Sequence, residues 1–393
     1  MTISPQPSPD FRPDPKRGLF LFGEIDQSTL DRLTPDIVRL QSESRAPITL
    51  YIDSNGGSVG HAAFLYRTLT LSDQDGASPC RLITVATGTA ASAAADLLMA
   101  GNYALAFPHA IILCHGVRRR SRSEALTQET AIDLAKDLAK SNEQFAIQLA
   151  DNCINRFIFR VAFLASEFPQ IRQNKGNALL QQTECFIEAL RSRISDGFIR
   201  VLEDALKRSV DNDALDVFTT ERLKQVDIMS MPKAQFEALL LKLILDYETE
   251  QHATDPQWSI RQEGFERIQD KLELLINKYD DHHAEMISSL CTRWQHSFLT
   301  DEQELEISQL PEEQRPLKIQ ETVREILRPL WFFFVSVCRQ LQKEDYVMSA
   351  EEAYWLGLID EVISRTDLPC PRIFVEYPPP ENGENNDPSA NKE

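Results

Sequence analysis

The chain has 393 residues, 42% apolar and 26% charged, which excludes a single small module and wholesale disorder. At about 150 residues per domain it allows two to three domains. Its 41 basic and 60 acidic residues leave a formal charge of −19, so a sequence-independent grip on nucleic-acid phosphates or an anionic membrane has no electrostatic support.

Residues 1–17 are rich in Pro and polar residues and contain no apolar run of signal-peptide length, so they read as a disordered tail on a cytoplasmic protein. The run LWFFFVSVC at 330–338 is too short to span a membrane. Cysteines at 80, 114, 153, 185, 291, 338 and 370 form no CxxC pair or zinc-ligand spacing and read as reduced thiols, with no metal or cofactor implied.

From 18 onward, short β-type runs alternate with helical patterns. GLFLFGEI (18–25) is a strand followed by a helix whose second part has Thr34 and Pro35 at its start. ITLYI (48–52) leads through DSNGG into a helix at about 58–71. RLITVATG (81–88) leads into a helix from about 92 that stops at Gly101, and IILCH (111–115) is the next strand. This alternation predicts a parallel α/β sheet with right-handed crossovers. After 124 the apolar spacing is helical to about 344, and MSAEEAYWLGLIDEVI (348–363) returns as a short helix, a turn at Gly357 and a strand. Residues 376–393 read as a second disordered tail.

Three segments could carry chemistry. Asn55, Gly56, Gly57 and Ser58 form a glycine turn whose N–H groups can face a negative oxygen, or simply a tight connection. Ser92, among small residues in GTAASAAADLL, falls where a strand becomes a helix, either as a capping residue or as a nucleophile beside the N–H of Ala93. His115 closes IILCH. All three lie at strand C-terminal ends, which a βαβ sheet brings to one edge, and a nucleophile, a base and an oxyanion site require such convergence.

LYIDSNGGSVGHAAFLYRTL, GTAASAAADLLMAG, YALAFPHAIILCH and MSAEEAYWLGLIDEVI together, in this order, resemble the proteolytic subunit of the Clp protease. The resemblance implies a crotonase-like α/β fold of ββα repeats and a serine endopeptidase with Ser92 as nucleophile and His115 as general base. Gly57 and Ala93 would supply the oxyanion N–H groups. It also implies protein or peptide substrates, rings of identical subunits and an AAA+ unfoldase on another chain, since no GxxxxGK[ST] loop occurs here. The catalytic domain would occupy 18–151 and 327–375, interrupted by a helical insert at 152–326. At the family's third triad position this chain has Leu341, which cannot orient an imidazole, so the site is a Ser–His dyad, borrows Glu344, Asp345 or an acid of the insert, or is inactive. On a dyad, restoring an acid at 341 should raise turnover.

Two other readings stand beside the peptidase: a non-catalytic scaffold whose insert binds a partner, and an acyl-CoA hydratase or isomerase on the same fold. Arg118, Arg119, Arg120 and Arg122 read as a solvated or intersubunit basic turn, and Asp280, Asp281, His282 and His283 diverge around a helix rather than forming a metal site. His61 reads as a structural histidine and Cys114 as a core residue.

Overall fold

In the first strand, β1 (Gly18–Ile25), Leu19, Leu21 and Ile25 are buried while Phe20 and Phe22 are exposed, the period of two expected of a strand covered on one face. The computed structural model describes residues 11–71, 79–118, 127–167, 178–223, 226, 231–252, 268, 271–272, 275, 281–294, 299, 301–343, 345–365 and 367–368. After β1 come α1 (Gln27–Glu43), β2 (Ile48–Gly57), α2 (Val59–Leu69), β3 (Leu82–Ala91), α3 (Ala93–Met99), β4 (Tyr103–Ala106), β5 (Ile111–Leu113) and the long α4 (Gln128–Glu167). The helices α5 (Ala178–Leu190), α6 (Asp196–Leu223), α7 (Lys233–His252), α8 (Asp281–Trp294), α9 (Asp301–Ser308) and α10 (Arg315–Lys343) follow, then β6 (Val347–Ser349), α11 (Ala350–Leu356) and β7 (Glu361–Val362).

The chain divides into two compact units. The first comprises Met1–Arg172, Glu188–Ile199 and Cys338–Glu393 and contains the sheet. Strands run in the order β1-β2-β3-β4-β7, every neighbouring pair parallel, as the strand–helix alternation predicted. β3 is long enough to serve two partners. Its Ile83–Ala86 stretch pairs with β4, and Thr89, Ala90 and Ala91 pair with β5, which in turn meets β6 antiparallel.

Several local features differ from the sequence expectation. The helix expected to restart at Thr34–Pro35 is one continuous α1, capped by Asp26, whose carboxylate accepts the Thr29 N–H at 3.0 Å. Its buried stripe Leu30, Leu33, Ile37 and Leu40 passes through Pro35, and packing of that face outweighs one missing backbone donor. Gly101 is not a left-handed helix terminus. α3 ends at Met99 with its cap, Ala100, in ordinary helical geometry, and Gly101 is small because a Cβ there would lie 2.5 Å from Thr84 Oγ1. Gly357 does take the left-handed cap, at φ 93°, behind a capping box of Ser349 and Glu352.

Residues 11–17, expected within the N-terminal tail, pack onto the sheet. Phe11 is buried with Ile83, Val85, Tyr103 and Leu105, and Arg17 donates to the carbonyls of Leu40, Ser44, Ala46 and Pro47. The remainder of that tail and the expected tail at 376–393 lie outside the described residues.

The return segment is fastened to α4 and β4. Asp360 accepts from Arg156 Nε at 2.7 Å and from the Ala104 N–H at 2.7 Å, and Arg160, fully buried, donates to the carbonyls of Tyr354 and Ile359. A buried guanidinium is costly unless its donors are used, and here two carbonyls and the face of the Tyr354 ring, 4.0 Å away, receive it.

The second unit, Gln173–Ile187 and Arg200–Val337, is helical throughout its described elements. It has its own core of Leu215, Leu223, Leu240, Leu243, Ile244, Tyr247, Ile268 and Leu275. The pair Lys271–Glu248 is buried in this unit. Among the described residues no helix is long and apolar enough to cross a membrane.

Candidate active site

Asn55, Gly56 and Gly57, read from sequence as a glycine turn with Ser58, continue β2 as a strand. Gly57 pairs with Ile25 and Ser54 with Ala90, so the glycines lie between the ends of β1 and β3. Glycine is required at both positions. A Cβ on Gly56 (φ 89°) would lie 2.5 Å from the Ala91 carbonyl oxygen and 2.6 Å from Ser92 Cβ, and one on Gly57 would lie 2.4 Å from the Ile25 carbonyl oxygen. Ser54, buried, donates its hydroxyl to the Gly23 carbonyl and accepts the Gly56 N–H at 3.0 Å. The Ile25 carbonyl accepts the Ser58 N–H at 2.9 Å. In a parallel ladder alternate residues face opposite edges, so Gly57 turns its own N–H toward the β3 side.

Ser92 joins β3 to α3 with φ 57° and ψ −133°, and its side chain makes no capping hydrogen bond. The capping reading is therefore not the one the geometry supports. A non-glycine residue at positive φ is a strained junction that persists because its surroundings demand it. Here the Ser92 N–H donates to the Leu113 carbonyl at 2.9 Å, and the Ser92 carbonyl receives the Ala95 N–H at 2.8 Å. The Ala93 N–H belongs to the first turn of α3, where no helical carbonyl precedes it, and it sits 3.1 Å from where a Gly56 Cβ would be. Asp53 supports this junction from β2, its Oδ1 accepting the Thr89 N–H at 2.8 Å.

β5 ends at Leu113, so His115 lies two residues beyond the strand rather than in it, half-buried. The bond from Ser92 to Leu113 puts both residues at the C-terminal ends of neighbouring parallel strands. No hydrogen bond joins the Ser92 hydroxyl to His115 among the described residues. His115 Nδ1 lies 2.6 Å from the Gly116 carbonyl oxygen. A carbonyl can only accept, so this contact is a hydrogen bond in the tautomer that carries its proton on Nδ1 and leaves Nε2 free. The Gly116 N–H donates to the Gln342 carbonyl at 3.3 Å, and the Val117 N–H to Asn142 Oδ1 at 2.6 Å.

Among the described residues no carboxylate is hydrogen-bonded to the His115 ring, whose bond goes to the Gly116 carbonyl. Leu341 is fully buried in the last turn of α10, and its carbonyl accepts the Tyr346 N–H. Asp345 is ion-paired with Arg118, both half-exposed. Glu344, Arg119, Arg120, Arg122 and Asp280 lie outside the described residues, as do the side chains of Asp281, His282 and His283. The His61 backbone N–H donates to the capping Ser58 hydroxyl, and its Nδ1 is buried without a hydrogen-bond partner among the described residues. Cys114 is fully buried and burial raises its thiol pKa well above the ordinary value, which suits a core residue and not a nucleophile.

Asp96, one helical turn after Ser92, carries no role in the sequence reading. Burial raises its carboxyl pKa to about 7, and its Oδ1 has no hydrogen-bond partner among the described residues. An acid within an otherwise small and apolar helix, AAADLLM, is the signal that could have singled it out. Asn142 had no comparable signal, because it stands among other polar residues of α4.

A family model described as Clp protease matches residues 14–155, which include both glycines, Ser92 and His115. The ATP-dependent Clp protease proteolytic subunits 1 of Mycobacterium tuberculosis (strain ATCC 25618 / H37Rv) and Mycobacterium leprae (strain TN) are each 34% identical to the chain over 142 residues, covering 34% of it and 67% of the relative. Proteolytic subunit 2 of Prochlorococcus marinus (strain MIT 9313) is 35% identical over 130 residues, 31% of this chain and 62% of the relative. Strands β1 to β5, the glycine-bearing end of β2 and the serine junction all fall within the matched stretch, and the chain belongs to the Clp protease proteolytic-subunit family.

Proposed function

We propose that the chain is a serine endopeptidase of the Clp type, with a crotonase-like core and a Ser92–His115 dyad. The observation that carries this reading is the Ser92 junction: positive φ, no capping bond, and a backbone bond to the strand that leads to His115. Ser92 Oγ forms a bond to the scissile carbonyl carbon as its proton passes to His115 Nε2, and the carbonyl π pair moves onto oxygen. The N–H groups of Gly57 and Ala93 receive that oxyanion. Collapse breaks the C–N bond, Nε2 returns the proton to the leaving amine, and water releases the acyl group by the same steps in reverse. An unmet hydrogen bond between hydroxyl and imidazole is compatible with this, because such bonds commonly tighten only around substrate.

Peptide or protein substrates, a ring of identical copies and an ATP-driven unfoldase on another chain belong to this reading. It is supported by the family and by the relatives' description as ATP-dependent. Of the helical insert read at 152–326, residues 152–172 and 188–199 belong to the unit that contains the sheet; the remainder, which has a hydrophobic core of its own, is read as governing access or recruiting a partner. A fluorophosphonate probe tests the mechanism: wild type should be labelled and Ser92→Ala should not. Equal labelling of both would move the nucleophile elsewhere. A folded wild type that resists the probe would favour the second reading, a non-catalytic scaffold, for which the buried Leu341 is the specific observation.

A further inference from the structure

We propose that the Gly116 carbonyl, held by Asn142, takes over the orienting work of the missing triad acid, which makes Asn142 a positioning residue. The inference rests on the dyad reading of Ser92 and His115. In a triad the carboxylate does two things: it fixes the imidazole tautomer so that Nε2 faces the nucleophile, and it stabilises the imidazolium. A backbone carbonyl 2.6 Å from Nδ1 performs the first and, as a dipole without full charge, only part of the second.

A carbonyl can orient a ring only if its own peptide is held. The Gly116 peptide is anchored on both sides, by its N–H to the Gln342 carbonyl at the end of α10 and by the next N–H, of Val117, to Asn142 Oδ1 at 2.6 Å. Asn142 also packs against the glycine itself. A Cβ on Gly116 would lie 3.0 Å from Asn142 Oδ1 and 3.1 Å from its Nδ2, so a side chain at 116 would push the clamp apart. The neighbouring residue fixes α4 against the same helix end, Glu143 receiving Arg339 Nε at 2.8 Å, half-buried. Leu341 lies within this short stretch of α10, between Arg339 and Gln342, with its side chain in the core. The segment that offers no acid through its side chain offers instead a backbone acceptor, the Gln342 carbonyl, that secures the substitute.

The test uses the full chain with 15N-labelled histidine, the His115 resonances being identified by subtraction with His115→Gln. In wild type, neutral His115 should be the Nδ1–H tautomer. Asn142→Ala should shift it toward Nε2–H and lower peptide kcat roughly tenfold with KM unchanged, the effect of loosening one hydrogen bond in the orienting chain. Asn142→Asp, which keeps the acceptor for the Val117 N–H, should restore the tautomer and most of kcat. A folded Asn142→Ala protein with the wild-type tautomer overturns the proposal, as does an Nε2–H tautomer in wild type. The tautomer readout needs no turnover, so a protein that resists fluorophosphonate would refute the peptidase reading while the clamp is still decided by the spectrum.

Discussion

Gly56 lies directly against Ser92, with room for no side chain between them: a Cβ at 56 would come within 2.6 Å of Ser92 Cβ. β2 and β3 therefore meet at their ends through a contact only glycine allows, Gly56 standing against the serine while its own N–H is bonded to Ser54 Oγ.

Gly56→Ala should cost at least about 2 kcal/mol, combining a left-handed backbone disfavoured for alanine with a clash against the Ala91 carbonyl. Labelling of Ser92 by fluorophosphonate should fall much further than stability does. Thermal melting and labelling measured on one preparation check this, and a well-folded Gly56→Ala protein labelled at the wild-type rate would refute the contact's importance.

Leu341→Asp should not restore a triad. The side chain is fully buried in the core, so a carboxyl there meets apolar neighbours and is either neutral or strongly destabilising, by about 3 kcal/mol or more. The gain in turnover that sequence position alone suggests is therefore not expected. Urea unfolding together with peptide hydrolysis tests it, and a stable variant with raised kcat would show that the imidazole can reach position 341.

Asp345→Asn should leave peptide turnover within a factor of about two and stability within about 1 kcal/mol, since its partner Arg118 and the carboxylate are both half-exposed and solvent screens the pair. A loss of kcat beyond a hundredfold would instead make Asp345 the acid that completes the triad.

Asp96 should make stability fall as pH rises. Its carboxyl pKa is raised from 3.8 to about 7 in the folded protein. Below 3.8 the group is neutral folded and unfolded, and it costs nothing. Between the two values the unfolded chain releases the proton while the folded protein keeps it, so the cost grows, reaching an upper limit of about 4 kcal/mol above pH 7. Asp96→Asn removes this slope. Denaturant midpoints of the two proteins at pH 4.5 and pH 8 should diverge at the higher value, and parallel behaviour would sink the assignment.

Much of the candidate site was legible in the chain because each of its parts is local. Alternating β-type runs and helical spacing specify a parallel sheet, a parallel sheet sends its strand ends to one edge, and the glycines, Ser92 and His115 sit at those ends. The capping box at Ser349 and the left-handed Gly357 are likewise matters of a few adjacent residues.

Long-range packing decided the rest. Whether Pro35 breaks a helix depends on what the stripe around it is buried against, and whether Gly101 is a cap or a gap depends on Thr84, a residue of β3. In the same way the hydrogen-bond partner of an imidazole is a property of space. The strand pattern singles out His115 and the family resemblance marks Leu341 as the wrong residue for its position, but that the Gly116 carbonyl lies at Nδ1, with Asn142 behind it, follows only from how α4 and the end of α10 hold the segment after β5. Backbone carbonyls carry no sequence signature, because every residue has one, and only the tertiary structure determines which of them is aimed at a functional side chain.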